Sequence, residues 1–216
     1  MSSKRLLRDD VSEMAELSEI EHDALTEITN LAIGRSAGVL NEMIGQEVTL
    51  SVPQVIILEQ SKLAGHIGGI QGKDLTLVQQ GFDGPLSGLA SIAFPEQKSL
   101  ELVRLLLGEE MSLEEIVELE QEALQEMGNV ILNSFLGTFG NEFNVNISSE
   151  IPKFYKNVEV DGLIGDLNEQ DVSVVFIHVD FCVKEENIDG YLVLAVTIPT
   201  MEKLVELVKN YVESLG

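Results

Sequence analysis

Apolar residues recur along the chain with two periods, and the order of these periods predicts an α/β fold. Long segments at 18–43 and 112–140 repeat apolar residues every three or four positions, the period of an amphipathic helix. Alternating or continuously apolar segments predict six strands, at 47–58, 74–82, 88–95, 143–155, 171–183 and 190–199. Shorter helical patterns follow the third and sixth strands, at 96–108 and 200–216. The predicted order is therefore helix, three strands and helix, and it occurs twice.

Local signals support the boundaries of both long helices. Ser18 stands three residues before Glu21, and Ser112 stands three residues before Glu115. Each pair forms the capping-box pattern that begins a helix. Gly45 is expected to end the first long helix, because glycine adopts the left-handed conformation that commonly follows a last turn.

The two halves of the chain match by position. Asn30 and Asn129 are 99 residues apart, and so are Pro53 and Pro152. A repeat this long differs from the short units of solenoid proteins. We therefore predict one pseudo-twofold α/β domain of the α+β type. It would have a mixed six-stranded sheet, two long helices covering it and two shorter helices.

The predicted domain spans 18–216 and follows an N-terminal arm at 1–17. Its two copies would be about 18–108 and 112–216. The faces expected to pack on the sheet carry the bulky apolar residues of each long helix. These are Leu25, Ile28, Ala32, Val39 and Met43 in the first, and Leu124, Met127, Ile131 and Phe135 in the second.

Each long helix also carries a polar group, and both groups have the same spacing. The first is Asp23-x3-Glu27-x2-Asn30, with Pro53 after 22 further residues. A helix turns about 100° per residue, so Asp23 and Asn30 lie within about 60° of Glu27, away from the apolar face. The simplest interpretation is a solvated helix face. Asparagine is not a favoured residue on such a face, because its side chain competes with the helix backbone.

The second polar group is Glu122-x3-Glu126-x2-Asn129, and Pro152 again follows after 22 residues. Small residues follow both asparagines, at Gly34 and Gly38 in the first copy and at Gly137 and Gly140 in the second. Exposed helix interiors normally avoid glycine, so these positions could let a partner approach closely. The duplication favours a functional face over a merely solvated one.

The net charge of the chain limits the kinds of molecule that it is expected to bind. The chain has 37 acidic and 13 basic residues, a formal net charge of −24. Such a chain repels nucleic acid and anionic membrane surfaces and suits a protein with a basic patch. The polar N-terminus and the absence of a long apolar segment predict a cytoplasmic protein.

Metal and thiol chemistry receive little support from the sequence. Cys182 is the single cysteine, which excludes an internal disulfide and a cysteine-cluster metal site. His22, His66 and His178 lie far apart without ligand spacing, so we expect no metal site.

The doubled motif resembles that of the CheC/CheX/FliY family of chemotaxis phosphatases. The resemblance covers about 18–214, and the length and doubled motif most resemble the CheC branch. It implies that the substrate is the response regulator CheY in its phosphorylated form. CheY would bring the Mg²⁺ and the aspartyl phosphate, and this protein would need no cofactor of its own.

The resemblance also implies residue roles and partners. Asn30 and Asn129 would each position a water for in-line attack on phosphorus. Glu27 and Glu126 would each pair with a lysine of CheY. The receptor deamidase CheD is implied as a second partner, and we expect a monomer.

One position departs from the family pattern, and two alternatives stay open. Glu122 stands where the first copy has Asp23, so we expect the first site to carry the larger share of activity. A non-catalytic chemotaxis adaptor that binds CheD or receptors is one alternative. A flagellar switch component is the other.

Overall fold

The structure is a computed structural model. It describes residues 17–45, 47–67, 75–107, 111–169, 172–183 and 186–215. Of the predicted N-terminal arm, residues 1–16 lie outside the described residues. No described helix combines the length and apolar content that crossing a bilayer requires.

The predicted helices and strands occur in the predicted order with small shifts at their ends, but the prediction of only two shorter helices was wrong, because a third short helix lies at Leu63–His66. The helices are α1 (Glu19–Ile44), α2 (Leu63–His66), α3 (Glu96–Leu107), α4 (Leu113–Glu142) and α5 (Ile198–Leu215). The strands are β1 (Val48–Glu59), β2 (Leu75–Asp83), β3 (Gly88–Pro95), β4 (Ser148–Ser149), β5 (Lys153–Val158), β6 (Val172–Val183) and β7 (Glu186–Thr197). Short 3₁₀ segments lie at Gln60–Lys62 and Val160–Glu169.

Both predicted capping boxes form. The Ser18 N–H donates to Oε2 of Glu21 at 2.7 Å, and the Glu21 N–H donates back to Ser18 Oγ at 3.4 Å. Ser112 and Glu115 make the same reciprocal pair at the start of α4. Gly45 follows α1 with φ of 70°, which confirms it as the left-handed stop of that helix.

One antiparallel sheet holds all seven strands in the order β1-β6-β7-β3-β2-β4, with β5 also pairing with β2. The predicted mixed sheet was wrong in this detail, because each described pairing is antiparallel. The hairpins β2–β3 and β6–β7 have connections too short for a parallel crossover.

The strand predicted over 143–155 is interrupted. It becomes the two-residue β4 and the later β5, separated by residues 150–152. Proline has no N–H to donate to a sheet ladder, and Pro152 lies in this gap. The predicted six strands therefore appear as seven.

The strand order places the two halves of the chain symmetrically about the β3–β7 pair. From one edge, β1 of the first half is followed by β6 and β7 of the second half. From the other edge, β4 and β5 of the second half are followed by β2 and β3 of the first half. This arrangement is consistent with the proposed internal repeat. The repeat and the boundaries of the domain remain predictions.

The two long helices pack on one face of the sheet and against each other. Arg35 of α1 approaches Thr138 and Glu142 of α4, at 3.3 Å and 3.6 Å respectively. Leu25, Ile28 and Ala32 are buried, and the α4 residues Leu124, Met127, Ile131 and Phe135 are at most 1% exposed. The opposite face of the sheet is covered by a smaller apolar cluster that includes Leu163 and Ile164.

The predicted apolar face of α1 was wrong toward its C-terminal end. Val39 and Met43 are 47% and 43% exposed, while Ser36, Ala37 and Leu40 are buried there. Ser36 packs close to α4, with its Oγ 3.5 Å from the carbonyl oxygen of Ile131. The neighbouring helix therefore determines which side of α1 is buried at this end.

Candidate functional site

The second polar group lines an open groove beside α4. Four predicted residues meet there: Glu122, Glu126, Asn129 and Pro152. Its remaining lining residues are Gln125, Asn133, Ser149, Glu150 and Ile151. We call this feature the second-site groove, and its volume is about 460 Å³. The helix motif and the distant proline are therefore parts of one surface.

Two contacts hold the proline side of the groove in place. Gln125 donates from Nε2 to the carbonyl oxygen of Pro152 at 2.7 Å. The Glu150 N–H donates to the carbonyl oxygen of Gly81 on β2 at 2.9 Å. The segment between β4 and β5 is thus attached to α4 on one side and to the sheet on the other.

Asn129 is partly buried, and its amide is hydrogen-bonded within the groove. Asn133 lies one turn later on α4 and donates from Nδ2 to Oδ1 of Asn129 at 2.6 Å. Asn133 in turn accepts from Ser149 Oγ at 2.7 Å and from Gln80 Nε2 at 3.1 Å. The asparagine side chain is therefore connected through Asn133 to two strands of the sheet.

A close approach of α4 to β2 makes this connection possible. A Cβ atom added at Gly128 would lie 2.6 Å from Cγ1 of Val78. Glycine therefore lets the helix backbone rest against the strand, next to the site asparagine. An ion pair supports the same helix, with Lys156 Nζ on β5 2.6 Å from Oε2 of the buried Glu120.

The groove is acidic, and its lining carries no basic or thiol side chain. Glu122, Glu126 and Glu150 line it, and none of its nine lining residues is lysine, arginine, histidine or cysteine. Its hydroxyl, on Ser149, donates to Asn133. These residues can position water and attract a positively charged surface.

The first polar group lies on an open helix face. Asp23, Glu27 and Asn30 of α1 are all exposed, as predicted. Gly34 stands where the second copy has Asn133, and the space around it is open. Among the described residues, no hydrogen bond holds the Asn30 amide.

Pro53 lies in β1, which is 12 residues long. The pairing of this strand with β6 changes register between Ser51 and Gln54. His22 connects α1 to the same strand, with Nε2 3.0 Å from the carbonyl oxygen of Val55. The helix and the proline-containing strand are therefore joined in the first copy as well, by a different residue.

Sequence reasoning gave Asn133 no role. It did not find Ser149, Glu150 or Ile151, because no spacing rule links the β4–β5 segment to a helix motif. Helical periodicity was the signal for Asn133, since it lies within about 20° of Glu126 around the helix axis.

The structure also brings together a group that the sequence did not indicate. His178 and Asp180 of β6 and Asp189 of β7 lie close together near the turn between these strands. Each offers one side-chain nitrogen or oxygen of the kind that binds metal ions, and these atoms lie within 4.8 Å of one another. His178 Nε2 is 3.4 Å from a carboxylate oxygen of each aspartate. Cys182, on the same strand, is partly buried.

Two protein families match different parts of the chain. Residues 76–176 match the family described as "Chemotaxis phosphatase CheX". Residues 20–57 match the family described as "CheC-like family". Together the two matches cover more than half of the chain, and each includes one copy of the helix motif.

Two proteins of Bacillus subtilis (strain 168) are similar in sequence. "CheY-P phosphatase CheC" is 22% identical over 140 residues, which is 63% of this chain and 66% of that protein. "Flagellar motor switch phosphatase FliY" is 30% identical over 83 residues, which is 33% of this chain and 22% of that protein. The chain thus matches less than two thirds of the length of either relative.

Solved structures share the fold. Thermotoga maritima FliY aligns with a TM-score of 0.69 at 19% identity, covering 90% of this chain and 98% of that one. A chain of the Borrelia burgdorferi CheX-CheY-BeF3-Mg+2 complex aligns with a TM-score of 0.50 at 17% identity, covering 76% of this chain and 95% of that one. By its doubled motif, its family matches and its fold, this chain belongs to the CheC/CheX/FliY family, which includes CheY-P phosphatases.

Proposed function

We propose that this protein dephosphorylates CheY-phosphate, using Asn30 and Asn129 to position the attacking water. The observation that carries the proposal is the second-site groove, where Glu126, Asn129 and Pro152 meet without a basic or thiol side chain. A relative named as a CheY-P phosphatase supports the choice of substrate.

The proposed chemistry is hydrolysis of an acyl phosphate. The oxygen of water attacks phosphorus while the bond between phosphorus and the aspartyl oxygen of CheY breaks. The products are inorganic phosphate and the free carboxylate, and the lost proton of water passes to solvent or phosphate. An asparagine amide suits the positioning task, because it accepts and donates hydrogen bonds and remains neutral. Catalysis of this kind depends on orientation and charge stabilisation.

The charge of the groove limits how the substrate binds. Three carboxylates would repel an isolated phosphate, so the phosphoryl charge has to be neutralised by the partner. In this proposal CheY supplies Mg²⁺ with its phosphoryl group as part of the substrate. Glu126 pairs with a lysine of CheY at the groove, and Glu27 does the same on the open face of α1.

The two sites are proposed to differ in phosphatase activity. Glu122 has one more methylene than Asp23, which changes the reach of the first motif position and so weakens docking at the second site. We therefore expect the first site to carry the larger share. Binding of CheD and a monomeric state also belong to this proposal.

The test is phosphate release from CheY-phosphate in the presence of Mg²⁺. We would compare the wild type with Asn30→Ala, Asn129→Ala and the double variant. Asn187→Ala is the control, because this exposed asparagine lies on β7 and outside both motifs. The double variant should lose at least about 100-fold in kcat while CheY-phosphate still binds, since misplacement alone can cost this much.

Each outcome distinguishes between the proposals. Wild-type release by the double variant would exclude water positioning by these asparagines. A wild-type protein that binds CheY-phosphate without accelerating its hydrolysis would favour the adaptor. A larger loss in Asn129→Ala than in Asn30→Ala would reverse the expected order of the sites and leave the mechanism in place.

A further inference from the structure

We propose that Asn133 is a positioning residue that holds the amide plane of Asn129, and that the first site lacks this support. The inference rests on the proposed function, because it assigns Asn133 a task in the same site. Asn133 acts through Asn129 and is given no contact with the reacting atoms.

The hydrogen-bond geometry around Asn133 carries the inference. Its amide is 2.6 Å from the Asn129 amide, 2.7 Å from Ser149 Oγ and 3.1 Å from Gln80 Nε2. Gln80 lies on β2 and is 2% exposed, while Ser149 lies on β4 at the edge of the sheet. Asn133 is therefore anchored from two strands on one side and binds Asn129 on the other.

This hydrogen bonding restricts the terminal side-chain torsion of Asn129, which would otherwise rotate easily. The terminal torsion of asparagine has a broad minimum, so an unsupported amide samples many orientations. A hydrogen bond from an anchored neighbour restricts the Asn129 amide to the plane that this bond allows. Less orientational freedom then has to be lost when the water is positioned for attack.

The first copy supplies a natural contrast within the same chain. Gly34 stands in place of Asn133, and a Cβ at that position would meet nothing within 4 Å. Asn30 is exposed, and no described residue hydrogen-bonds its amide. The two asparagines thus share motif spacing and differ in whether a neighbour holds them.

The first test isolates the second site. In an Asn30→Ala background, Asn133→Ala should lower kcat by about tenfold, the effect of roughly 1.4 kcal/mol. KM for CheY-phosphate should change by less than about twofold, because Asn133 does not dock the substrate. Ser149→Ala should give a smaller loss of kcat, since one of the two anchors remains. Gln121→Ala, an exposed polar position of α4 outside the groove, is the control.

The second test does not depend on activity. Relaxation of the side-chain ¹⁵N amides should show Asn129 more rigid than Asn30 in the wild type. Asn133→Ala should lower the order parameter of the Asn129 amide and leave that of Asn30 unchanged. Thermal unfolding of each variant shows whether a loss of kcat reflects positioning or a damaged fold.

The failures of the two proposals are distinguishable. Wild-type kcat in the Asn133→Ala variant, or an Asn129 amide as mobile as that of Asn30, would overturn the positioning role. If the Asn30→Ala parent itself released no phosphate beyond spontaneous hydrolysis, the proposed function of the second site would fail instead. The relaxation measurement would still report whether Asn133 holds Asn129.

Discussion

Gln125 and Pro152 are 27 positions apart in sequence, and a hydrogen bond of 2.7 Å joins the side-chain amide of one to the carbonyl oxygen of the other. This contact holds the proline segment of the second copy against the helix that carries the motif. The helix supplies the acidic and amide groups, and the proline segment forms the opposite wall of the groove. A second link between this wall and α4 is the hydrogen bond from Ser149 Oγ to the Asn133 side chain, at 2.7 Å.

The corresponding contact in the first copy uses different residues. Thr26 occupies the position of Gln125, and its hydroxyl donates to the carbonyl oxygen of His22 in the same helix at 2.9 Å. His22 instead connects α1 to β1, through the carbonyl oxygen of Val55. In each copy a helix side chain is therefore hydrogen-bonded to a carbonyl oxygen at or near the motif proline, but the helix residue differs.

Removal of the Gln125 side chain should weaken the second site. In an Asn30→Ala background, we expect Gln125→Ala to lower kcat/KM by about fivefold, corresponding to one neutral hydrogen bond of ~1 kcal/mol. Thr26→Ala in an Asn129→Ala background is the matched control, because its bond stays within α1. Steady-state phosphate release measures both. Equal losses in the two variants would contradict the proposed role of the contact.

The proposed docking of CheY through Glu126 should depend on ionic strength. Glu126→Gln in the Asn30→Ala background should raise KM by up to about fivefold at low salt, the range of an exposed ion pair. The effect should shrink at high salt, because the screening length falls below about 10 Å above 0.1 M. Glu118→Gln, an exposed position outside the groove, should leave KM unchanged. A fall in kcat with constant KM would assign Glu126 to chemistry instead of docking.

Two glycines of α4 should respond in opposite directions to the same substitution. Gly128→Ala should lower the free energy of unfolding by about 1–3 kcal/mol, since its new methyl group would overlap Val78. Gly137→Ala should raise the free energy of unfolding by up to ~1 kcal/mol, because its surroundings are open and alanine favours the helix. Urea unfolding at constant m-value checks both. A Gly128→Ala variant that is more stable than the wild type would contradict the close packing of α4 on β2.

The capping box of α4 should contribute a pH-dependent part of the stability. Hydrogen bonds from the Ser112 hydroxyl and backbone N–H lower the pKa of Glu115 below its ordinary value of 4.5. These hydrogen bonds therefore stabilise the charged carboxylate of Glu115 in the folded protein relative to the unfolded chain. This contribution is fully present above pH 4.5 and is lost as the pH falls through the lowered pKa.

Glu115→Gln should therefore destabilise the protein more at neutral pH than in acid. Denaturation midpoints measured from pH 7 downward should converge with those of the wild type below the lowered pKa. Glu114→Gln, in the same exposed turn, should not reproduce this convergence. A constant gap between Glu115→Gln and the wild type at every pH would show that the carboxylate charge is irrelevant to the cap.

Local features of the sequence were sufficient to predict where both long helices begin. Ser18 with Glu21, and Ser112 with Glu115, act within three residues, so their pairing needs no knowledge of the fold. Most strands were predicted for a similar reason, because the alternation of apolar residues reflects burial of a strand face. The interrupted strand around Pro152 was only partly predicted, since its division depends on what β2 can pair with.

The sequence by itself determined the motif positions, because residues three and four apart share a helix face whatever the tertiary structure. Tertiary structure alone decided that Asn129 has a supporting neighbour anchored by Gln80 and Ser149, whereas Asn30 faces open space. It also decided that α1 buries Ser36 and exposes Val39, because α4 packs against that end. Hydrogen bonds across tens of residues and helix packing depend on distances between separate elements, and no periodicity within a single element encodes those distances.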